Sequence, residues 1–334
     1  MAAVNIGYTA GIETDFISPA WFEPSQQMDK IIVISEHAKS SFLNTVFMDG
    51  NQNKLSVSTP IEVVHFPFPD LKNDLGGLSE WLKTIESTPV EDKKLDLKLK
   101  HDFNFLCVNQ WGPRKNIEQL IKNFISEFRD EEVGLVIKSN CANDSIMDKH
   151  ETEKRLLANI PEDKERKCKI YLIHGRLTDK EMHSLYRHEK IKAFVTTTHG
   201  EGFGLPIFEA MAAELPIIAT DWSGHLDFLT VEDKKEAKKM FAKIDYQIKL
   251  IQPHHVWQGV MENGCSWAYP SDTSVRNRMR EVMKDYGRFK SWSKKLAAYN
   301  KEKFSEEKVE NKFFSCLESF ITKSEEKSDE LIIL

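Results

Sequence analysis

The stretch HGEGFGLPIFEAMAAELPIIAT, residues His199 to Thr220, reads as a turn, a helix and a strand in succession. It follows IKAFVTTT (residues 191–198), an apolar run with β-branched residues of the kind that forms a buried strand. Pro206 suits the first turn of a helix, and Phe208, Met211 and Ala212 continue one apolar face. LPIIAT then returns the chain to a strand. Gly202 and Gly204 let the backbone approach a ligand closely, and free amides at a helix start attract anions. The peptide groups of Gly202, Phe203, Gly204 and Leu205 therefore form a candidate cradle for a phosphate or a sugar diphosphate. Strand, anion-binding turn, helix and strand in this order is the building unit of a parallel α/β sheet.

The same alternation extends outward in both directions. FNFLCVN (103–109), VGLVIKS (133–139) and KIYLIHG (169–175) read as further strands. Between the first two, a helix over 116–129 turns Ile117, Leu120, Ile121, Phe124 and Phe128 inward. Five such strands complete a doubly wound unit. The first hundred residues supply only about three: 4–8, KIIVI (30–34) and IEVVHF (61–66). After the second of these, Ser35 caps a helix with Ala38, Phe42 and Val46 on one face. Residues 70–101 are polar, carry Gly76-Gly77 and Pro89, and read as an excursion and a boundary. At 334 residues two domains are expected. The first is short of strands, which fits either a natural short form or a start that is missing. Val275–Tyr286 and Ser291–Phe304 read as helices, and KSEEKSDE (323–330) as a solvated tail.

Charged residues sharpen the reading of the turn. Glu201 lies in it and Glu209 stands about one helical turn beyond. Carboxylates beside a phosphate cradle repel the ligand unless they are aimed at neutral hydroxyls, and sugar hydroxyls are such partners. The plainer alternative is a solvated Glu201 and a Glu209 that complements the helix dipole. A second turn, Trp111-Gly112-Pro113-Arg114-Lys115-Asn116, joins the first strand of the unit to its first helix, at the edge where α/β ligands bind. Cations at a helix start oppose the dipole, so Arg114 and Lys115 make sense as a clamp on an anion. A third turn, His174-Gly175-Arg176-Leu177-Thr178, opens a helix at Thr178 and offers backbone to line a nucleotide base. Beyond these turns, adjacent His254 and His255 are expected to point apart in a loop, and Trp257, Trp267 and Trp292 to pack.

Composition narrows the class. With 46 basic against 52 acidic residues the net charge is −6, against nonspecific nucleic-acid binding. Five dispersed cysteines without a CxxC pair suggest neither a disulfide framework nor a zinc site, but free thiols in a reducing compartment. Neither a membrane-length apolar run nor a signal-peptide pattern is present, and a cytoplasmic location is expected. No metal-ligand cluster is evident.

RKN before a helix, then GRLTxxEMxxLY, then EGFGLPxxEAMAxxLPIIATxxSG, in this order and spacing, resembles retaining glycosyltransferases of family 4, the group 1 type. The likeness is detailed over about 103–230 and looser over 4–70 and 255–310. It implies the GT-B fold: an α/β protein of two Rossmann-like domains facing a cleft, with carboxy-terminal helices crossing back. Here that means a truncated amino-terminal, acceptor-side domain with its linker (1–100), a nucleotide-sugar-binding domain (101–275), and helices with an acidic tail (276–334). The implied reaction is hexosyl transfer, with retention and without a metal or other cofactor, from a nucleoside diphosphate sugar such as a UDP- or GDP-sugar. The implied acceptor is of carbohydrate type, on a glycan, lipid or protein. A lipid acceptor would imply peripheral membrane association, and an incomplete first domain leaves room for a homo-oligomer. By the same resemblance Arg114 and Lys115 bind the diphosphate, and Gly175, Arg176 and Leu177 border the base. Glu201 contacts the transferring sugar, the amides of Gly202 to Leu205 hold sugar and phosphate, and Glu209 binds the ribose. Two positions depart from the pattern. Glu214 stands where the family has glycine. Thr9-Ala10-Gly11-Ile12-Glu13 stands where it often has a histidine, which makes Glu13 or Thr9 a positional candidate for its role, Glu13 being the catalytic candidate. A nucleotide-sugar epimerase and a non-catalytic nucleotide-sugar-binding protein remain as alternatives.

Overall fold

The computed structural model describes residues 4–69, 97–232 and 236–328, so of the polar stretch 70–101 residues 70–96 lie outside it. Its larger sheet has six parallel strands, laid side by side as β13-β10-β9-β6-β7-β8. These are β6 (Phe103–Gln110), β7 (Val133–Asn140), β8 (Lys169–Ile173), β9 (Ile191–Val195), β10 (Ile217–Thr220) and β13 (Ala242–Ile244), the last two separated by helix α7 (Leu226–Leu229) and an antiparallel hairpin, β11 (Thr230–Glu232) with β12 (Ala237–Lys239). The sixth, β13, goes beyond the five strands read from the sequence. Helices cover both faces, so the strands are apolar nearly throughout rather than alternating; every residue of β10 is buried. From β6 the chain passes to β7 and β8 through α3 (Ile117–Phe128) and α4 (Ile146–Ala158), then returns to β9 on the other side of β6. The point of reversal, between β6 and β9, is where open α/β sheets carry their ligands.

Helix α3 shows how this layer is held. Ile117, Leu120, Ile121, Phe124 and Phe128 are all fully buried, as the 3.6-residue spacing requires. Phe124 and Phe128 lie 5.4 Å apart, centroid to centroid, and both pack on Phe105 of β6. Helix α8 (Asp272–Lys284) packs against α3, where Arg280 reaches Glu127 and Glu131 at 2.7 Å each.

The smaller sheet has three parallel strands in the order β1 (Ile6–Thr9), β2 (Lys30–Val33) and β5 (Ile61–Val63). Helix α1 (Pro19–Gln26) follows β1, and α2 (Glu36–Leu43) starts where Ser35 Oγ accepts from the Ala38 amide at 3.0 Å. The expected apolar face of α2 stops short of Val46. That residue opens an antiparallel hairpin, β3 (Val46–Met48) with β4 (Lys54–Ser56), and is 51% exposed. A Thr45 hydroxyl bonded to the Ser41 carbonyl ends the helix before it.

Three features join the sheets. Helix α9 (Tyr286–Lys303) buries Asn300, which donates to the carbonyls of Phe228 and Leu296, and the Phe304 carbonyl accepts from Phe68 N. Helix α10 (Glu306–Ser328) crosses to the smaller sheet, setting Phe313 on Tyr8 and receiving Lys30 Nζ on the Cys316 carbonyl at 2.7 Å. This helix runs through Ser328, where the sequence pattern suggested a solvated tail. A third hairpin, β14 (Tyr246–Leu250) with β15 (Ser266–Pro270), carries Val260 and Met261 onto the apolar core around Ile12, Ile17 and Phe42. Within it the His254 and His255 rings face each other at 4.1 Å rather than pointing apart. Trp267 is fully buried but Trp257 is 65% exposed, so packing accounts for the first and not the second. All five cysteines are free thiols.

Phe124→Ala should cost about 3–5 kcal/mol, the usual penalty for emptying a core aromatic site, read as a lower urea midpoint at unchanged slope.

Candidate active site

Two turns meet at the point of strand reversal. After β6 the chain makes a tight turn over Pro113–Lys115 and leaves it through Asn116 in the left-handed region (φ 53, ψ 42), which asparagine tolerates well. Asn116 is then fixed to the end of β9: its carbonyl accepts from Thr197 Oγ1 at 2.8 Å, and its side chain donates to the Thr197 carbonyl at 3.2 Å. The backbone carbonyl of Arg114 takes the His199 amide at 2.8 Å. The turn carrying the two cations is thus stitched to the turn carrying Glu201.

Their side chains converge. Lys115 Nζ lies 2.6 and 2.7 Å from the two carboxylate oxygens of Glu201. Arg114 donates to Glu201 Oε2 at 3.0 Å and to the Gly200 carbonyl at 2.6 Å. Its other terminal nitrogen meets Glu13 Oε1 at 2.9 Å, bringing in a loop from the smaller sheet. Glu201 is 7% exposed. Burial pushes its carboxyl up, but Lys115 and Arg114 outweigh that and hold it at about 2. Burial would likewise lower Arg114, yet the carboxylates of Glu201 and Glu13 keep its pKa above the ordinary value. The sequence aims Glu201 at sugar hydroxyls; in the fold both of its carboxylate oxygens also meet Lys115 and Arg114.

The glycines allow close packing. A Cβ on Gly200 would sit 2.3 Å from the Glu13 carbonyl oxygen, and one on Gly202 2.9 Å from that of Ala10. Gly224 is tighter still, at 2.0 Å from the Gly202 carbonyl. Gly204 caps helix α6 (Leu205–Ala212) with φ at +94, a conformation that strains any side chain. Among the described residues, the amides of Gly202, Phe203, Gly204 and Leu205 find no protein acceptor. Beneath them Ser223 Oγ accepts from the Glu201 amide at 2.8 Å, and Gly224 N donates to the Glu201 carbonyl.

Glu209 lies on α6, where Tyr186 donates its hydroxyl to one carboxylate oxygen at 2.8 Å. Burial raises the Glu209 carboxyl; the Tyr186 bond partly offsets this, and the nearby charge of Asp179 adds to it. Tyr186 and Asp179 are the two ends of α5 (Asp179–Tyr186), which follows the 174–178 turn. Thr178 and Glu181 close a capping box at its start, Gly175 takes φ +93, and Leu177 packs against the main core. Gly175, Arg176 and Leu177 therefore lie on a turn separate from the ion cluster, joined to Glu209 through α5. Glu214 adopts φ 60, the conformation for which glycine is the usual residue.

Several residues here are not singled out by the sequence. Tyr186 closes the GRLTxxEMxxLY motif, which assigns it no role of its own. His199, stacked on Trp267 at 4.6 Å with Nδ1 on the Ala268 carbonyl, is lowered by burial to about 4. His37 packs on Trp222, and burial likewise lowers it to about 4. Asp227 joins the two sheets by accepting from the Glu36 amide at 2.8 Å and meeting His65 Nε2 at 3.0 Å. The histidines look like ordinary helix or loop residues until the sheets are brought together.

Residues 90–239, which include both turns and Glu209, match the family model described as glycosyl transferases group 1. Over this segment the chain is similar to the group 1 glycosyltransferases. A probable sucrose-phosphate synthase of Thermosipho melanesiensis is 30% identical to it over 239 residues, 66% of this chain and 52% of that protein. The chain thus spans about half the length of that curated relative. Sucrose-phosphate synthase from Thermosynechococcus elongatus superposes with a TM-score of 0.57 at 14% identity, over 91% of this chain and 61% of that one. A trehalose-6-phosphate structure from E. coli, bound with UDP-2-fluoro glucose, gives a TM-score of 0.57 at 11% identity, over 93% and 67%. At such identities these likenesses speak to the fold, which is GT-B. No helix among the described residues is long and apolar enough to cross a membrane.

Gly224→Ala should lower the melting temperature by several degrees, because its methyl meets fixed backbone. Gly112→Ala, with open space around it and φ at −159, should leave it within about one degree. Because Glu201 titrates at about 2 in the fold against 4.5 ordinarily, its ionised form stabilises the protein above pH 4.5. That contribution disappears as pH falls from 4.5 towards 2. Urea midpoints across this window should fall less steeply for Glu201→Gln than for the native chain.

Proposed function

We propose that this protein is a retaining hexosyltransferase that draws its sugar from a uridine or guanosine diphosphate sugar. The observation that carries the reading is the convergence of Arg114 and Lys115 on buried Glu201, beside the unengaged amides of Gly202 to Leu205. Sugar transfer passes through an oxocarbenium-like state while a diphosphate departs, so stabilising the departing charge is the protein's main task. Two fixed cations and the dipole of α6 supply that stabilisation from groups of the chain itself. The bound UDP-2-fluoro glucose of the E. coli relative supports a nucleotide-sugar donor.

The remaining parts take consistent roles. Tyr186 holds one oxygen of Glu209 and leaves the other for ribose hydroxyls. The Gly175–Leu177 turn borders the base. Glu13 comes from the loop after β1 and stands on the acceptor side, bound to the clamp through Arg114. The acceptor is of carbohydrate type, as the sucrose- and trehalose-phosphate names of the relatives suggest. On this reading residues 1–100 carry the acceptor side, 101–275 the donor side and 276–334 the helices that brace them. The reaction belongs to the cytoplasm, in keeping with five unpaired thiols.

The test is a thermal-shift panel of uridine, guanosine and adenosine diphosphate sugars. One of the first two should raise the melting temperature by a few degrees at saturating concentration; no shift with any donor would remove the reading. Glu209→Ala should then weaken nucleotide binding about tenfold or more, the scale of one or two hydrogen bonds. Lys115→Ala should lower kcat about a hundredfold with a smaller change in binding.

A further inference from the structure

Outside the ion cluster, the most heavily engaged carboxylate among the described residues is Asp148, in the first turn of α4. It accepts the amides of Cys141, Ala142 and Asn143 at 3.0, 2.5 and 3.2 Å, and the Thr152 hydroxyl at 3.2 Å. Its fifth partner comes from the neighbouring strand: His174 Nε2 lies 2.8 Å from Oδ1. The two side chains are only 5% and 6% exposed. A carboxylate placed merely to close the turn before α4 would be satisfied by the three amides. The His174 bond does something else. It pins the last residue of the β8 end directly before Gly175, where the backbone swings to φ +93. The far end of the same turn is pinned by the Thr178–Glu181 capping box. Between these anchors lie the peptide groups of Gly175, Arg176 and Leu177.

We propose that Asp148, acting through His174, is the positioning residue for the Gly175–Leu177 turn and so sets how tightly and selectively the nucleotide base is held. The inference rests on the donor reading given above. A backbone edge discriminates between bases only if its groups are held to within a fraction of an ångström; Leu177 packs on the core at one side of the turn, but Gly175, at φ +93 with open space around it, has no packing to hold the other. The charged carboxylate supplies the stiffness. Five donors, one of them an imidazole from the adjacent strand, leave it no alternative geometry. Since the couple lies two strands away from the ion cluster, it acts on binding and leaves the reacting sugar alone.

The test uses the full chain and titration calorimetry with UDP and with GDP, alongside donor KM and kcat. Asp148→Asn keeps shape but loses charge; His174→Asn is too short to reach the carboxylate and serves if the first variant does not fold. Each should weaken the preferred nucleotide about tenfold and narrow the preference between UDP and GDP, with kcat at saturating donor changed less than about twofold. His174→Gln, which can restore an Nε2–H donor, should recover binding to within about threefold. A variant that loses melting temperature while affinity and UDP-to-GDP preference stay unchanged overturns the proposal and makes the couple a plain structural tie. If the native chain binds UDP or GDP and Glu209→Ala weakens it while these variants do not, this inference alone falls. If the native chain binds neither nucleotide, the donor reading falls and takes this one with it.

Discussion

Glu201 is a carboxylate taken out of water, and much of the site is arranged around making that tolerable. A buried carboxylate without partners would protonate or destabilise the fold. Lys115 and Arg114 prevent both, and they can do so only because the ends of β6 and β9 lie side by side. That adjacency is a property of the strand order. The chain reverses direction across the sheet between these two strands, opening a crevice into which both turns project. Chemistry and topology are therefore one constraint: a sheet wound in another order would separate cations from carboxylate and leave each exposed to its own desolvation cost.

The glycine-rich turn shows how a motif can answer two demands at once. Read alone, Gly202 and Gly204 signify an anion at a helix start. In the folded chain Gly200 and Gly202 lie against the carbonyls of Glu13 and Ala10, while Gly224 backs onto Gly202. A side chain at any of the three would force apart the two sheets' loops or the layers of the turn itself. Closeness there is what lets Glu13, carried on a loop of the smaller sheet, touch Arg114 of the larger one. So the glycines bring loops of the two sheets into contact and expose amides by the same means, the lack of a Cβ.

Legibility in the sequence followed the range of the interaction. The apolar face of α3, the caps at Ser35 and Thr178, and the strands β6 to β10 are local patterns, and they stand in the fold as read. Arg114 and Lys115, which share a turn, meet one group in the fold, Glu201. What escaped was non-local. Glu201 looked free to meet a sugar because its cations are 86 and 87 residues away in sequence. Tyr186 closes a sequence motif, but its hydroxyl meets Glu209, 23 residues on, only in the fold. His37, Trp222 and Asp227 acquire meaning only where the two sheets meet. Val46 failed for the opposite reason: periodicity continued past the point where a threonine hydroxyl had already ended the helix.

The charge balance of the cluster carries the argument one step further along the proposed reaction. Two carboxylates face two cations, so the cluster is neutral before any ligand arrives. A diphosphate brings about two further negative charges and must compete for Arg114 and Lys115. Glu201 cannot yield, since it is buried, doubly paired, and held through its backbone amide by Ser223. Glu13 can, because its tie to Arg114 is a single 2.9 Å contact from a half-buried side chain on a separate loop. Donor entry on this reading exchanges Glu13 for phosphate oxygens and returns a carboxylate to the acceptor side at the moment a donor is in place. The residue at the position where the resemblance led one to expect a histidine is thereby coupled, through one guanidinium, to occupancy of the donor site.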